Sequence, residues 1–398
     1  MKLDDYFRLN VVQINNKHHQ LISDSGTHTL TPAICPAFSF IYQIPVGGIA
    51  FYGTFILINS LSMKAALRII LVILFATSVT FGQRTANIAL SGGVTNYTGD
   101  LGNEKFFPFS AASTGAAITL RNFLNNPKKS RNLYPAFDAQ LRLSWHRLEY
   151  DESTAIGDKQ GTELRNYLRG MNFRNDLFGT EVDFTYNFFI NKYAPLSKPR
   201  FSLFLSAGVG VFYGKPVADL FRGDIAPENK YYYWKDGTIR DVKENDKQFG
   251  NVIEKDGEYE TDLQKWMTEG QGFNKEANSK PPYSNWNIGF PIGGGMRYSF
   301  NKLLTLSAEI NWYLFLTDYL DDVSGRYATY EELKNSFPDA TEYELAKYIS
   351  DPTGYGTNGV IGPITSVRGN PDRKDSFTYV SIEMAYKFTW KQKGIYGQ

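Results

Sequence analysis

The sequence predicts an all-β fold, an eight-stranded antiparallel transmembrane β-barrel with long extracellular loops. Three observations carry this. From Gln83 onward apolar residues recur with period two, not the roughly 3.6 of a helix. The alternating segments reach or exceed the ~9–11 residues that a tilted strand needs to cross a bilayer. The links between them are alternately short and long, as when tight turns lie on one side of a membrane and open loops on the other.

The first part of the chain carries an address. Lys64 and Arg68 precede an apolar run at 69–75, and Thr80 and Gly82 stand at −3 and −1 of a cut before Gln83. That is the grammar of a cleaved signal peptide, and the run is short of the ~20 residues of a membrane anchor. Since the signal opens at Met63, residues 1–62 are expected to be a non-native upstream extension, 63–82 the signal peptide, and 83–398 the barrel. The rival, an apolar stretch at 38–61 inserted in a membrane, is interrupted by Pro45, Gly47, Gly48 and Gly53.

The strands follow in order at about 86–97, 114–123, 136–150, 178–190, 200–213, 285–300, 304–316 and 379–390. The seventh is the clearest. Leu304, Leu306, Ala308, Ile310, Trp312, Leu314 and Leu316 share one face, and Thr305, Ser307, Glu309, Asn311 and Tyr313 the other. In the eighth, Val380, Ile382, Met384, Tyr386, Phe388 and Trp390 oppose Tyr379, Ser381, Glu383, Ala385 and Lys387. Links 125–135, 191–199 and 301–302 are each shorter than links 99–113, 151–175, 214–284 and 318–374. A soluble sandwich has no reason to sort its loops so; a lipocalin-like barrel, with its apolar face turned inward, shares the alternation. Aromatics near strand ends, among them Phe137, Trp145, Phe184, Phe188, Phe201 and Tyr213, fit interfacial girdles.

Composition narrows the function. Lys and Arg number 42 against 41 Asp and Glu, a net charge of +1 that excludes a nucleic-acid binder working by bulk charge. Aromatics at 15% and 35 glycines favour strands, and a mean hydropathy of −0.34 excludes a bundle of membrane helices. Cys35 is the single cysteine and there are four histidines, so no disulfide, cysteine metal site or cofactor is implied.

With the apolar face toward lipid, the lumen receives Arg121, Arg142, His146, Glu181, Asp183, Arg297, Glu309, Glu383 and Lys387. Leaving His146 aside, these are four bases and four acids. A barrel of this size is just wide enough for its own side chains, and buried charges persist when paired. The set therefore predicts a structural ion-pair network rather than a pore. His146 with Ser144 is the one arrangement resembling a base and nucleophile, but it lacks an evident acid partner and a G-x-S-x-G elbow. No catalytic residue is assigned. Asp318, Asp321 and Asp322 form an oxygen-rich cluster without EF-hand spacing. They are expected to cap turn amides rather than hold Ca²⁺. Gly92-Gly93 and Gly293-Gly294-Gly295 are expected to be strand kinks or points of close packing. Thr329-x-x-Glu332 and Thr341-x-x-Glu344 read as capping boxes of two short helices divided by Pro338. Tyr231-Tyr232-Tyr233-Trp234 is expected to lie in a folded hairpin and to form an exposed contact surface.

One group of motifs resembles a known family. Asn96-Tyr97-Thr98-Gly99-Asp100-Leu101-Gly102 looks like the N-Y-x-G-D-L element of the outer-membrane barrel family that contains the PorG-type component of the type IX secretion system. Asn172-Phe173-Arg174-Asn175, Ala207-Gly208-Val209-Gly210-Val211-Phe212, Thr268-Glu269-Gly270-Gln271-Gly272 and Phe290-Pro291-Ile292-Gly293-Gly294-Gly295 resemble later elements in order. The most distinctive is Thr317-Asp318-Tyr319-Leu320-Asp321-Asp322-Val323-Ser324. The resemblance spans 87–390 and implies a non-enzymatic outer-membrane protein in contact with lipid, docked to the periplasmic ring subunits of the secretion machine. The basic turn with Lys128, Lys129 and Arg131 is the expected docking face. The large 215–284 loop departs from the family pattern, and a surface adhesion or ligand-binding barrel using its outer loops is the alternative.

Overall fold

The computed structural model describes residues 39–46, 49–56, 85–102, 111–123, 137–153, 162–188, 200–244, 249–272, 281–356 and 367–389. The chain forms two units, Met1–Phe81 and Gly82–Gln398. In the first, Ser39–Val46 pairs antiparallel with Ile49–Ile56 as a hairpin. The predicted signal segment, Lys128, Lys129, Arg131 and Trp390 lie outside the described residues.

The second unit is a barrel of eight long strands. They are β1 (Thr85–Thr98), β2 (Ala112–Phe123), β3 (Phe137–Asp151), β4 (Asn172–Asn187), β5 (Phe201–Tyr213), β6 (Trp286–Ser299), β7 (Leu304–Phe315) and β8 (Ser376–Thr389). Each pairs antiparallel with its neighbour in the chain. The ring closes where β8 meets β1, from Ser376↔Thr98 to Thr389↔Thr85. A closed ring leaves no barrel edge unpaired. β4 begins at Asn172, several residues before the expected 178. Asn172-Phe173-Arg174-Asn175 continues the ladder against Leu148–Asp151, and Val217–Ala218 with Thr261–Asp262 extends the sheet there.

Pleating decides what each face meets. Ile382 is 56% exposed and its neighbour Glu383 1%. Leu90, Ile118, Leu143, Phe184, Leu205, Ile310 and Trp312 likewise face outward, while Thr119, Arg142, Glu181, Asp183 and Glu309 are buried inside. This inverts the arrangement of a soluble barrel and is the pattern of a lipid-facing wall. At the end away from the long loops, outward aromatics pair as Phe137–Tyr186, Tyr298–Phe300 and Tyr386–Phe388. Tyr213 meets Trp286 at the other end. Among the described residues no helix is long and apolar enough to cross a membrane.

The inner face changes character along the barrel. Toward the long loops it becomes aromatic: Tyr313 stacks on Phe377 at 4.4 Å, Phe212 meets Phe315 at 5.1 Å, and His146 lies 4.6 Å from Tyr379. This layer runs without a break into the core of the long loops, where Tyr97, Leu148, Phe173, Leu177, Phe221, Leu320 and Ile349 pack. The loops carry helices α1 (Thr162–Arg169), α2 (Tyr330–Ser336) and α3 (Ala340–Ser350). The Thr329 box caps α2 as expected. Helix α3 starts earlier than its predicted Thr341 box: Asp339 caps it, accepting from the Thr341 and Glu342 amides. An aspartate directly after Pro338 offers its carboxylate two residues sooner.

Candidate functional site: a filled lumen beneath an interlocked cap

Seven of the eight charged residues expected in the lumen are buried there. Arg121 on β2 donates to Gln140 at 3.0 Å and to Glu383 on β8 at 2.9 Å. Gln140 passes the chain to Asp183 at 3.0 Å. Arg142 on β3 reaches across to Glu309 on β7 at 2.9 Å and to the Tyr313 hydroxyl at 3.4 Å. That hydroxyl donates to Glu181 at 3.0 Å, and Ser144 donates to the other Glu181 oxygen. Arg297 donates to Asn187 at 2.6 Å, lies 3.5 Å from Asp138, and covers the Phe204 ring.

Two corrections follow. Lys387 stands part-exposed at the lower end of β8 and forms no ion pair among the described residues. Asp138, absent from the expected set, is buried and joined to Asn187 and Arg297. The described network thus sets three guanidinium groups against five carboxyls, not four against four. Side chains tie wall to wall across the lumen, as expected of an interior this narrow.

The hydroxyl of Ser144 is committed to Glu181, and among the described residues both ring nitrogens of His146 lack a hydrogen-bond partner within a shell of Tyr313, Phe377 and Tyr379. No base–nucleophile pair forms between them. Gly93 and Gly295 are points of close packing: a Cβ at either would collide with a neighbouring strand's carbonyl, of Val380 or Ala308.

Above the aromatic layer the residues that carry the motif resemblance converge. The end of β1 (Tyr97, Gly99, Asp100, Leu101) meets the turn after β7 (Thr317, Asp318, Tyr319, Asp321, Asp322). The Tyr97 hydroxyl donates to Asp321, and Asp100 accepts the Asn370 amide at 2.8 Å. A Cβ at Gly99 would collide with Tyr97 and Asp375. Leu101 is buried in the cap core. Within the turn the Thr317 hydroxyl accepts the Tyr319 amide at 3.2 Å, Asp321 the Val323 amide at 2.9 Å, and Asp375 the Leu320 amide at 2.8 Å. Asp322 has a left-handed backbone with φ of 68°. Its carboxylate accepts from Tyr283, Gln271 and Thr268 and lies 3.3 Å from Arg368. Tyr319 stacks on Tyr283 at 4.7 Å. Burial raises the Asp318 carboxyl to about 7 and that of Asp322 to about 6. Of the three expected to cap turn amides, Asp321 does so; Asp322 is held by side chains instead, and Asp318 caps no amide among the described residues. Among the described residues no group of three or more His, Cys, Asp or Glu could hold a metal ion.

The same elements bind the long loops to one another. Glu152 pairs with Arg169, which donates to the Arg368 carbonyl at 3.1 Å. Arg368 lies 3.6 Å from Glu269, whose carboxylate accepts the Ser324 and Gly325 amides. Sequence reasoning missed Glu152, Arg169 and Arg368, and named Glu269 within a motif without a role, because a charge in a long loop gives no sign of whether it will be buried. It also misplaced the Tyr231–Trp234 cluster, which sits in a hairpin as expected but is not exposed. Tyr231 and Trp234 are buried, and the Tyr231 amide donates to Tyr348 of α3 at 3.0 Å.

No known family matches the sequence, and no curated protein matches it. Among solved structures, Neisserial surface protein A is 8% identical, with 77% of this chain and 98% of that one covered at a TM-score of 0.29. Ail, the attachment invasion locus protein of Yersinia pestis, solved with the heparin analogue sucrose octasulfate, is 10% identical, covering 76% and 98% at 0.27. A major outer membrane protein from Thermus thermophilus is 9% identical, covering 76% and 99% at 0.30. Likeness at this level says nothing of what the chain does; the closed barrel rests on its own strand pairing.

Proposed function

We propose that this chain is an integral outer-membrane barrel that acts by contact, without conduction or catalysis, as an accessory of the type IX secretion machinery docked to its periplasmic ring. The observation that carries the contact role is the filled lumen: ion pairs join the walls below, and an aromatic layer closes the upper end. The apolar outer wall with its interfacial aromatics supports the membrane location. The secretion assignment rests on the motif resemblance, whose two most specific elements meet at the cap turn.

The test is a pull-down of the tagged protein from gently solubilised outer membrane, with mass spectrometry of what comes with it. Recovery of ring subunits, lost on charge reversal at Lys128, Lys129 and Arg131, supports docking. A heat-modifiable barrel that comes down alone overturns the secretion role and leaves the fold standing. The second reading, a surface adhesion or ligand-binding barrel, is favoured by the built character of the cap, in which α2, α3 and the long loops share one core. It predicts that deleting 215–284 abolishes function while the basic-turn variant is silent.

A further inference from the structure

The tip of β1 meets both ends of the last long loop at a single hydroxyl. Tyr97 is buried; its hydroxyl donates to Asp321 and stands 3.4 Å from Asp375 Oδ1. Asp321 lies in the turn that leaves β7, and Asp375 is the last residue before β8. Backbone amides occupy the oxygens that face away, Val323 on Asp321 and Leu320 on Asp375. Neither carboxyl forms an ion pair among the described residues. Arg368, the cation acting on Asp321, is held by Asp322 and Glu269.

The other charges facing this point do not neutralise it. Asp100 acts on both carboxyls and Asp318 on Asp375. Arg373, Arg169 and Glu269 act on Asp100, while Lys374 and Glu269 act on Asp318. Two buried anions around one hydroxyl have one proton between them for the contact, and like charges that close do not both ionise. A second proton, on either carboxyl, turns repulsion into a hydrogen-bonded chain.

We propose that Tyr97, Asp321 and Asp375 form a proton-held clasp that fastens the last long loop, with α2 and α3, to the barrel rim. With one carboxyl protonated the clasp is closed; with both ionised it loosens. Burial pushes both carboxyls well above their usual range, so the closed form extends upward from acid toward neutral pH. The sign follows from linkage. The folded cap binds more protons than the open loop, so its hold is greatest in acid and is lost as pH rises through the raised values. The device would make the cap's outer surface sensitive to the acidity of the medium.

The test uses the full chain in detergent micelles with Cys35→Ser and Val367→Cys, a spin label being placed at the 74%-exposed Val367 of the clasped loop. Barrel integrity is read separately by heat-modifiable migration. The mobile fraction of the label is expected to rise about tenfold between about pH 5 and about pH 8. Asp375→Asn, which leaves one ionisable carboxyl and a permanent donor, is expected to hold the low-mobility line at both pH values. Tyr97→Phe is expected to give the mobile line at both. A label indifferent to pH overturns the clasp, as does an Asp375→Asn chain that follows pH like the parent. Immobilisation at about pH 8 by excess calcium chloride also overturns it, because the carboxyls would then be holding a metal. Should the variants not fold, the infrared carbonyl band of protonated carboxyls in the parent chain decides. Its loss in step with the label's release supports the clasp, and its absence at about pH 5 sinks it.

Discussion

Arg142 shows how much of a buried charge is visible from its own strand. Alternation with Leu141 and Leu143 places it inside once the apolar face is outside, and so it does for Glu309 on β7. Nothing local says that these two, 167 residues apart, would meet at 2.9 Å, because that depends on how the strands are staggered around the ring. The same stagger brings Asp138 and Asn187 to Arg297 and leaves Lys387 at the rim. Arg142 also holds the Tyr313 hydroxyl, which in turn holds Glu181. Removing the guanidinium but keeping its bulk takes from Glu309 its hydrogen-bonded partner and leaves it the more distant Arg121, 3.8 Å away. Arg142→Met is therefore expected to cost about 3–5 kcal/mol, the cost of breaking one side of a buried pair. Reversible urea unfolding followed by tryptophan fluorescence would measure it, and a loss below about 1 kcal/mol would place the pair among those of surface worth.

At the scale of elements, strands were more legible than the turns that finish them. Period two marks β7 to within one residue and β8 to within three, whereas the first residues of β4 read as loop because Asn172 and Asn175 resemble turn residues. Helix α2 was legible from its capping box, which the structure contains in full. Thr329→Ala removes one half of that box and is expected to destabilise α2 by about 1 kcal/mol. Hydrogen exchange should show this as faster exchange of the Glu332 and Leu333 amides, with barrel strands unchanged. The turn after β7 carries a pH dependence of its own. Burial lifts Asp318 to about 7 and Asp322 to about 6, above the ordinary carboxyl value of about 3.9. Between those values the folded turn holds protons that the unfolded chain releases, so cap stability falls as pH rises from about 4 to about 7. Unfolding monitored at fixed ionic strength across that interval should show the fall, and Asp318→Asn should reduce it. Equal fall in parent and variant would remove Asp318 as a source.

For the whole molecule the decisive question is whether the barrel is open, and alternation could not answer it. The polar faces predict a paired charge network, and toward the long loops the interior is aromatic as well. Tyr313 and Tyr379 fall on the polar side of their strands by register, and they serve there as the floor of the cap. Two seals of different chemistry therefore lie in series, ion pairs below and stacked rings above. Each has its own consequence for transport. A cap acting alone would be a lid, and trimming residues 318–374 would uncover a pore. With the network filling the lumen beneath it, such trimming is expected to leave the barrel closed to ions. In planar bilayers, both the full chain and the trimmed chain are expected to give no steady unitary current. A current in the trimmed chain alone would mean that the network is penetrable and the cap is the gate; a current in both would mean that the lumen conducts. Opening it should require removing the wall-to-wall pairs as well, for example Arg142→Ala with Arg121→Ala in the trimmed chain, at the stability cost already expected for Arg142. Silence in the trimmed chain and current only after that further change would establish that the barrel is closed by its own side chains, as an interior of eight strands predicts.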